Sequence, residues 1–301
     1  MIDLLRSHTP RSIAAFTVLY LIVVLPKIIL SDSAMLQSIL VSLLLFGNAY
    51  LMNNLLHKHN LLSERTYLPA MFMVLFCLKD FSTIGLLHGI SLSFCLIILE
   101  QVLNYQDNKL SDRKLFDSGF IGGLAFLLNP FSSSIILFPI LGMLYFDRIK
   151  LRKLFVFLTA FAVPILLLLE INYLFDAQWM VTYWKSFGWS GMNGQVDALQ
   201  SLVAIAIVFV LGFPAFLKAM SKAKVSIRSG SRLVMLFSLI GLGMLLMTDH
   251  NIESAALFIA VPFSWYSTNY LIHFRRNWLA NLSFILLFIF FLYRDLSEFW
   301  I

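Results

Sequence analysis

Few side chains in this sequence could perform acid–base chemistry from within its long apolar segments. Glu170 follows four consecutive leucines, His88 lies inside another apolar run, and Asp32 separates two such runs. A carboxylate or an imidazole in these surroundings can act as a general base or pair with a cation. An ionisable group at membrane depth is costly, which makes it a functional candidate. Glu170, Asp32 and His88 are therefore the candidate catalytic residues, and Glu170 is the strongest candidate for a base or a cation-pairing group.

A second set of polar residues lies at the ends of apolar segments that should face the same side as Glu170. These candidate substrate-binding residues are Asn129, Lys79, Lys185, Trp184, Asp249, His250 and Glu253. Asp249, His250 and Glu253 contain metal-ligating atoms, but their spacing matches no specific metal motif. Walker, dinucleotide and His-Glu-x-x-His motifs are also absent. The sequence therefore predicts neither a metal nor a cofactor.

The composition indicates the solvent in which these residues must function. Of 301 residues, 60% are hydrophobic and 13% are charged, whereas about a quarter of a soluble domain is charged. Such a chain cannot cover a water-facing surface, which excludes a soluble enzyme, a disordered chain and a nucleic-acid binder. Cys77 and Cys95 both lie in apolar runs and form no disulfide framework. The expected partner is membrane lipid.

Eleven segments are candidates for membrane-spanning helices in an all-α, polytopic bundle. They cover residues 12–30, 35–56, 67–78, 83–103, 116–128, 132–146, 154–174, 201–217, 233–247, 254–272 and 278–293. A spanning helix needs about 20 apolar residues. The segments beginning at residues 67, 116 and 233 are short by this measure, so nine spans remain an alternative to eleven.

Loop charges predict the orientation of these segments. With eleven spans and a cytoplasmic N-terminus, all but four of the 22 Lys and Arg residues fall in loops on the inside. The four exceptions are Lys27, Lys79, Lys185 and Arg294. Because cytoplasmic loops are enriched in Lys and Arg, this distribution predicts a multi-pass protein with its N-terminus in the cytoplasm and its C-terminus outside. Anionic lipid of the inner leaflet also accounts for the net charge of +6.

The longest outside segment has the pattern of a helix lying on the membrane surface. Within residues 176–187, Trp179, Met180, Tyr183, Trp184 and Phe187 recur along one helical face. Trp and Tyr favour the headgroup level. We expect an interfacial helix here, with a lid over a substrate cavity as the alternative. No linker or soluble segment interrupts the chain, so residues 1–301 are predicted to form a single integral domain.

Two passages resemble known families. The first contains Asp117-Ser-Gly-Phe-Ile-Gly-Gly, Asn129-Pro130, Ile-Leu-Phe-Pro-Ile-Leu-Gly, a basic stretch over 148–153 and Asn-Tyr-Leu-Phe-Asp176. This order resembles the membrane module of GT-C glycosyltransferases, which use polyprenyl-phosphate sugar donors. The resemblance implies a GT-C-like helical arrangement and a lipid-linked glycan substrate at the outer face. It also implies acidic residues in the first outside loop, where Asp32 is the only carboxylate.

The second passage contains Asn53-Asn54 and His-Lys-His-Asn-Leu-Leu-Ser-Glu-Arg65, with Lys114-Leu-Phe-Asp117 and 262–270 further on. It resembles an uncharacterised family of multi-pass inner-membrane proteins of Bacteroidota. Two functions remain open: a cell-envelope protein that handles a lipid-linked substrate, as an enzyme or a relative of one, and a non-catalytic scaffold subunit with a membrane-protein partner. A secondary transporter is the third alternative, but the sequence contains no internal repeat.

Overall fold

The computed structural model describes most of the chain. The described residues are Leu5, 9–30, 35–62, 66–77, 86–106, 111–129, 132, 136–146, 150–175, 214, 217, 221, 225–247, 252–272 and 277–296. This part of the chain is all-helical and contains no strand. Its α-helices are α1 (Pro10–Leu30), α2 (Met35–Lys58), α3 (Leu68–Cys77), α4 (Leu86–Leu103), α5 (Asp112–Leu128), α6 (Leu137–Phe146), α7 (Leu151–Leu174), α8 (Val225–Met247), α9 (Ile252–Ile272) and α10 (Asn277–Leu296). A short 3-10 helix, Asn104–Gln106, follows α4.

Helices occupy ten of the eleven predicted apolar segments, and the segment 201–217 lies almost wholly outside the described residues. Three described helical segments are long and apolar enough to cross a membrane: Leu36–Lys58, Leu86–Leu103 and Leu151–Leu174. These helices indicate a membrane protein. By contrast, α3 and α6 have 10 residues each, or about 15 Å of helix, half the hydrocarbon thickness. The number of spans and the orientation of the N-terminus stay predictions.

The chain divides into two compact units. Unit 1 comprises Met1–Leu86, Gln195–Ser231 and Leu257–Ile301, and unit 2 comprises Leu87–Gly194 and Arg232–Ala256. Because the predicted single domain concerns the whole chain, it also stays a prediction. Each unit has its own packed interior.

Aromatic side chains fill the interior of unit 1. The Phe16 ring stacks on those of Phe46 and Tyr67, at centroid distances of 5.5 and 6.1 Å. Phe72 on α3 makes edge contacts with Phe263 and Phe284, at 6.5 and 5.7 Å. Such ring pairs add to the stability that burial of their apolar area provides. They connect α3 to α9 and α10.

The C-terminal end of α2 is closed by a Schellman motif. Asn60 has a φ of 51°, in the left-handed region that asparagine tolerates better than most residues. The Leu61 N–H donates to the Leu56 carbonyl at 2.9 Å, and the Asn60 N–H donates to the His57 carbonyl at 3.1 Å. These bonds satisfy carbonyls that the end of a helix otherwise leaves without partners. The passage after His57 is therefore a defined turn.

In unit 2, α4 and α5 form an antiparallel pair, while α5 and α7 run parallel in close contact. A Cβ added to Gly119 would collide with the Phe157 carbonyl and lie 2.9 Å from the Ala160 Cβ. One added to Gly123 would collide with the Phe161 carbonyl and the Pro164 ring. Helices in membranes approach closely through such small residues. The spacing Gly119-x-x-x-Gly123 thus allows the backbones of α5 and α7 to meet.

Candidate functional site

Three of the predicted site residues, His88, Asn129 and Glu170, are fully described, and all belong to unit 2. Contacts between α4 and α5 relate the first two. The Ser91 hydroxyl donates to the Ala125 carbonyl at 3.2 Å, and the Asn129 N–H donates to the same carbonyl at 2.9 Å. His88 lies one turn before Ser91 on α4. His88 and Asn129 therefore lie at the same end of the α4–α5 pair.

Asn129 is buried and forms the C-cap of α5 in an extended conformation. Its carbonyl accepts hydrogen bonds from the Ser132 N–H at 2.9 Å and the Ser132 hydroxyl at 2.7 Å. The helix α5 therefore ends at Asn129, whose carbonyl is bonded by Ser132. His88, at the same end of the α4–α5 pair, is half-buried. We refer to His88 and Asn129, which both lie at this end of unit 2, as the polar corner.

Glu170 lies at the same end but on a different kind of surface. Because Gly123 packs against Phe161 and Pro164, the parallel register of α5 and α7 brings Glu170 level with the end of α5. Its side chain is exposed, as are those of its neighbours Leu169 and Ile171. The Glu170 carboxylate therefore lies on the exposed surface of the apolar helix α7. Along the helix axes it is at about the same level as the polar corner.

Most of the remaining candidates lie outside the described residues. They are Asp32, Lys79, Trp184, Lys185, Asp249 and His250, and the predicted interfacial helix 176–187 lies there as well. Glu253 belongs to the first turn of α9, and only its backbone is described. In the described part, no three His, Cys, Asp or Glu side chains gather as metal ligands do. The expectation of no metal and no cofactor stays a prediction.

The structure adds a polar network at the opposite end of unit 2 that the sequence analysis missed. The buried Ser118 hydroxyl on α5 lies 2.5 Å from the Gln101 Oε1 and 2.8 Å from the Lys114 carbonyl. The Tyr105 hydroxyl lies 3.1 Å from the Ser118 oxygen. Burial raises the pKa of Tyr105 to about 12, although its bond to Ser118 acts in the other direction. Tyr105 therefore stays neutral at ordinary pH and holds the 3-10 helix against α5.

Unit 1 contains a second polar cluster that was missed. The Leu5 carbonyl accepts hydrogen bonds from the Thr66 hydroxyl and the Tyr67 N–H, both at 2.8 Å. The His57 Nε2 lies 2.8 Å from the Thr66 carbonyl. Trp265 on α9 donates from its indole N–H to the Leu61 carbonyl at 3.1 Å. The cluster fixes the turn between α2 and α3 and contains no assembled nucleophile and base.

The described part thus defines an all-helical membrane protein in which the long apolar helix α7 is largely exposed. The whole chain, over residues 1–300, matches the model of a family of unknown function, DUF6427, and the chain belongs to that family. No curated protein matches it. No solved structure matches it either. The match agrees with the expected membership of an uncharacterised family, and the GT-C and Bacteroidota likenesses stay predictions.

Proposed function

We propose that this protein handles a lipid-linked substrate whose polar head lies at the end of unit 2 that carries His88, Asn129 and Glu170. One observation carries the proposal: Glu170 is an exposed carboxylate on the lipid-compatible surface of α7. A substrate that arrives laterally through the bilayer can reach such a group without entering a closed pocket. In this role Glu170 acts as a base or pairs with a cation, and His88 assists it.

The depth of Glu170 supports this role. Arg152 and Glu170 are 18 residues apart on α7, which corresponds to about 27 Å along the helix axis. This distance is close to the ~30 Å thickness of the hydrocarbon core. If Arg152 lies at one headgroup level, Glu170 lies near the other, where the phosphate of a lipid-linked substrate would also lie. The resemblance to GT-C enzymes favours a polyprenyl-phosphate glycan, and hence a role in cell-envelope biogenesis.

The proposed topology has about eleven spans in the bacterial inner membrane, with nine as the lower alternative and a cytoplasmic N-terminus. Asp32, Lys79, Lys185, Trp184, Asp249, His250 and Glu253 then lie on the same outer side as Glu170. Labelling of Phe175→Cys and Lys58→Cys variants in intact cells with a membrane-impermeant maleimide tests this arrangement. The thiol of Phe175→Cys should react from outside, whereas the thiol of Lys58→Cys should react only after permeabilisation. The reverse pattern would invert the proposed topology.

The function is tested by Glu170→Gln in the full-length protein, expressed in cells that lack the natural copy. If the carboxylate acts as a base, its loss should slow turnover by about 100-fold or more. Lipid-linked glycans extracted from the membrane should then accumulate while the amount of protein is unchanged. Asp117→Asn is the matched control, since Asp117 is an exposed carboxylate near the start of α5. Equal lipid pools in wild type and both variants would refute the lipid-substrate role.

A scaffold subunit is the second candidate, because the exposed surface of α7 could equally receive a transmembrane helix of a partner. In that case Glu170→Gln would release the partner during purification and leave the lipid-linked pools unchanged. A secondary transporter is the third candidate. It lacks the support of an internal repeat in the sequence.

A further inference from the structure

One end of unit 2 carries a concentration of positive charge. Six cations lie where α5, α7 and the unit 2 part of α8 begin, and we refer to them as the basic rim: Arg113, Lys114, Lys150, Arg152, Lys153 and Arg232. Two contacts fix this grouping. The Arg152 Nη2 lies 2.9 Å from the Asp112 Oδ2, and the Arg232 Nη1 donates to the Tyr145 hydroxyl at 2.8 Å. The first joins α7 to α5, and the second joins α8 to the end of α6.

Further contacts show that these helix ends belong to one surface. A Cβ built on Gly142 of α6 would lie 2.5 Å from Val102 and 3.5 Å from the Tyr105 ring, and Tyr105 in turn contacts Ser118 of α5. The described carboxylates near the rim are Glu100, Asp112 and Asp117. The six cations therefore outnumber the carboxylates two to one, which leaves an excess of three positive charges.

Large apolar side chains are exposed directly beside the basic rim. Leu151 is 72% exposed and Phe155 is 63% exposed on the first turns of α7. Phe116 on α5 and Leu144 on α6 are exposed at a similar height. A soluble anion or a nucleic acid would leave these apolar side chains uncovered. A phospholipid matches both features, because its anionic headgroup is followed by apolar acyl chains. Arg and Lys can place their charged ends at the headgroups while their stems cover apolar surface.

We propose that the basic rim binds the headgroups of anionic phospholipids, whose acyl chains lie along the exposed surface of α7. The headgroup phosphates pair with the excess positive charges of the basic rim. Each Arg guanidinium group can bind a phosphate through two hydrogen bonds. The site lies at the opposite end of unit 2 from Glu170, so it is separate from the proposed substrate position. It recruits the lipid that surrounds the protein and orients α7 in the bilayer.

The test measures which lipid contacts each end of α7. The full-length protein carries Cys77→Ala and Cys95→Ala, with a fluorophore on a cysteine at either Phe155→Cys or Leu166→Cys. Each labelled protein is placed in nanodiscs of phosphatidylglycerol and phosphatidylcholine in equal amounts, with brominated chains on one lipid or the other. Leu166 is the matched position, since it is 61% exposed on the same helix. At residue 155, brominated phosphatidylglycerol should report about threefold local enrichment. At residue 166 the two lipids should quench equally.

The enrichment at residue 155 should disappear in the triple variant Lys150→Gln, Arg152→Gln, Lys153→Gln and should weaken as salt is raised. The control Arg11→Gln, Lys58→Gln, Arg228→Gln removes the same charge from unit 1 and should leave it intact. Equal quenching by both lipids at residue 155 would overturn the proposal. An enrichment of phosphatidylglycerol that persists in the triple variant would also overturn it. Quenching by neither lipid would also overturn it, since protein would then cover this surface.

Discussion

Helices α9 and α7 show opposite relations between polarity and exposure. In α9, every side chain from Ile259 to Asn269 is buried, including four polar ones: Ser264, Ser267, Thr268 and Asn269. In α7, only Phe157, Ala160 and Pro164 are buried. The exposed surface of α7 consists largely of leucine, isoleucine and phenylalanine. The more polar helix is thus inside, and the more apolar helix is outside.

Lipid as the surrounding solvent explains this inversion. A helix that faces hydrocarbon must be apolar, whereas a buried helix can carry polar groups if each has a partner. In α9, hydroxyl and amide groups donate to main-chain carbonyls of the helix itself. The Ser267 hydroxyl donates to the Phe263 carbonyl at 2.8 Å, and the Asn269 amide donates to the Trp265 carbonyl at 3.1 Å. The comparison teaches that exposure, rather than polarity alone, identifies the helix that meets the bilayer.

The largest expected effect comes from placing a charge on the exposed surface of α7. Leu166→Asp should lower stability by about 2.5–3.5 kcal/mol, because Leu166 lies within the apolar part of the helix and a carboxylate there faces hydrocarbon. Unfolding of the purified protein in mixed micelles with increasing dodecyl sulfate measures the change. Leu166→Ala is the control and should cost far less. A cost below about 0.5 kcal/mol for Leu166→Asp, as for a water-exposed surface site, would show that this surface of α7 meets water.

The next effect concerns the narrow buried strip of α7. Gly123→Ala should destabilise the protein by about 1–3 kcal/mol, because the new Cβ must displace the Phe161 carbonyl and the Pro164 ring. Gly47→Ala in α2 is the matched control, since a Cβ there meets nothing within 4 Å. This control should be neutral or stabilising by up to about 1 kcal/mol. The same unfolding measurement applies, and equal results for the two variants would contradict the close approach of α5 and α7.

Much of the helical organisation could be predicted from the sequence, because apolar runs of this length have few other stable states. The predicted segment 154–174 and the helix Leu151–Leu174 end at the same residue. The predicted segment 132–146 and the helix Leu137–Phe146 also end at the same residue. The division into two units was not predicted, because it depends on which helices pack together.

The candidate site was harder to predict. Alternating helix directions bring His88 and Asn129 to one end, and this follows from the order of segments alone. The network of Gln101, Ser118 and Tyr105 depends on the register of α4 against α5, which side-chain packing sets. Isolated serines and glutamines in apolar helices give no periodic signal. The exposure of Glu170 also depends on which side of α7 packs against Gly119 and Gly123.

A moderate effect is expected for the hydrogen bond that joins Trp265 of α9 to the turn after α2 in unit 1. Trp265→Phe removes the indole donor to the Leu61 carbonyl and should cost about 1–3 kcal/mol, because the buried carbonyl loses its side-chain partner and the smaller ring leaves a void. Thermal unfolding of the purified protein measures the change. Trp278→Phe on α10 is the control, since Trp278 is largely exposed and its loss should be nearly neutral. If the two variants unfold alike, the Trp265 contact does not stabilise the turn after α2.

The smallest effect tests whether the polar groups of α9 are satisfied within their own helix. The Thr268 hydroxyl donates to the Ser264 carbonyl at 2.7 Å, and the Thr159 hydroxyl on α7 donates to the Phe155 carbonyl at 2.8 Å. Thr268→Val and Thr159→Val make the same exchange of hydroxyl for methyl, one in a buried helix and one on an exposed surface. Each should change stability by about 0.5 kcal/mol or less, because the acceptor carbonyl keeps its main-chain bond in the helix. If Thr268→Val alone cost more than about 1 kcal/mol, the Thr268 hydroxyl would interact with groups outside its own helix. Hydrogen bonds within α9 would then not explain why this helix can be both polar and buried.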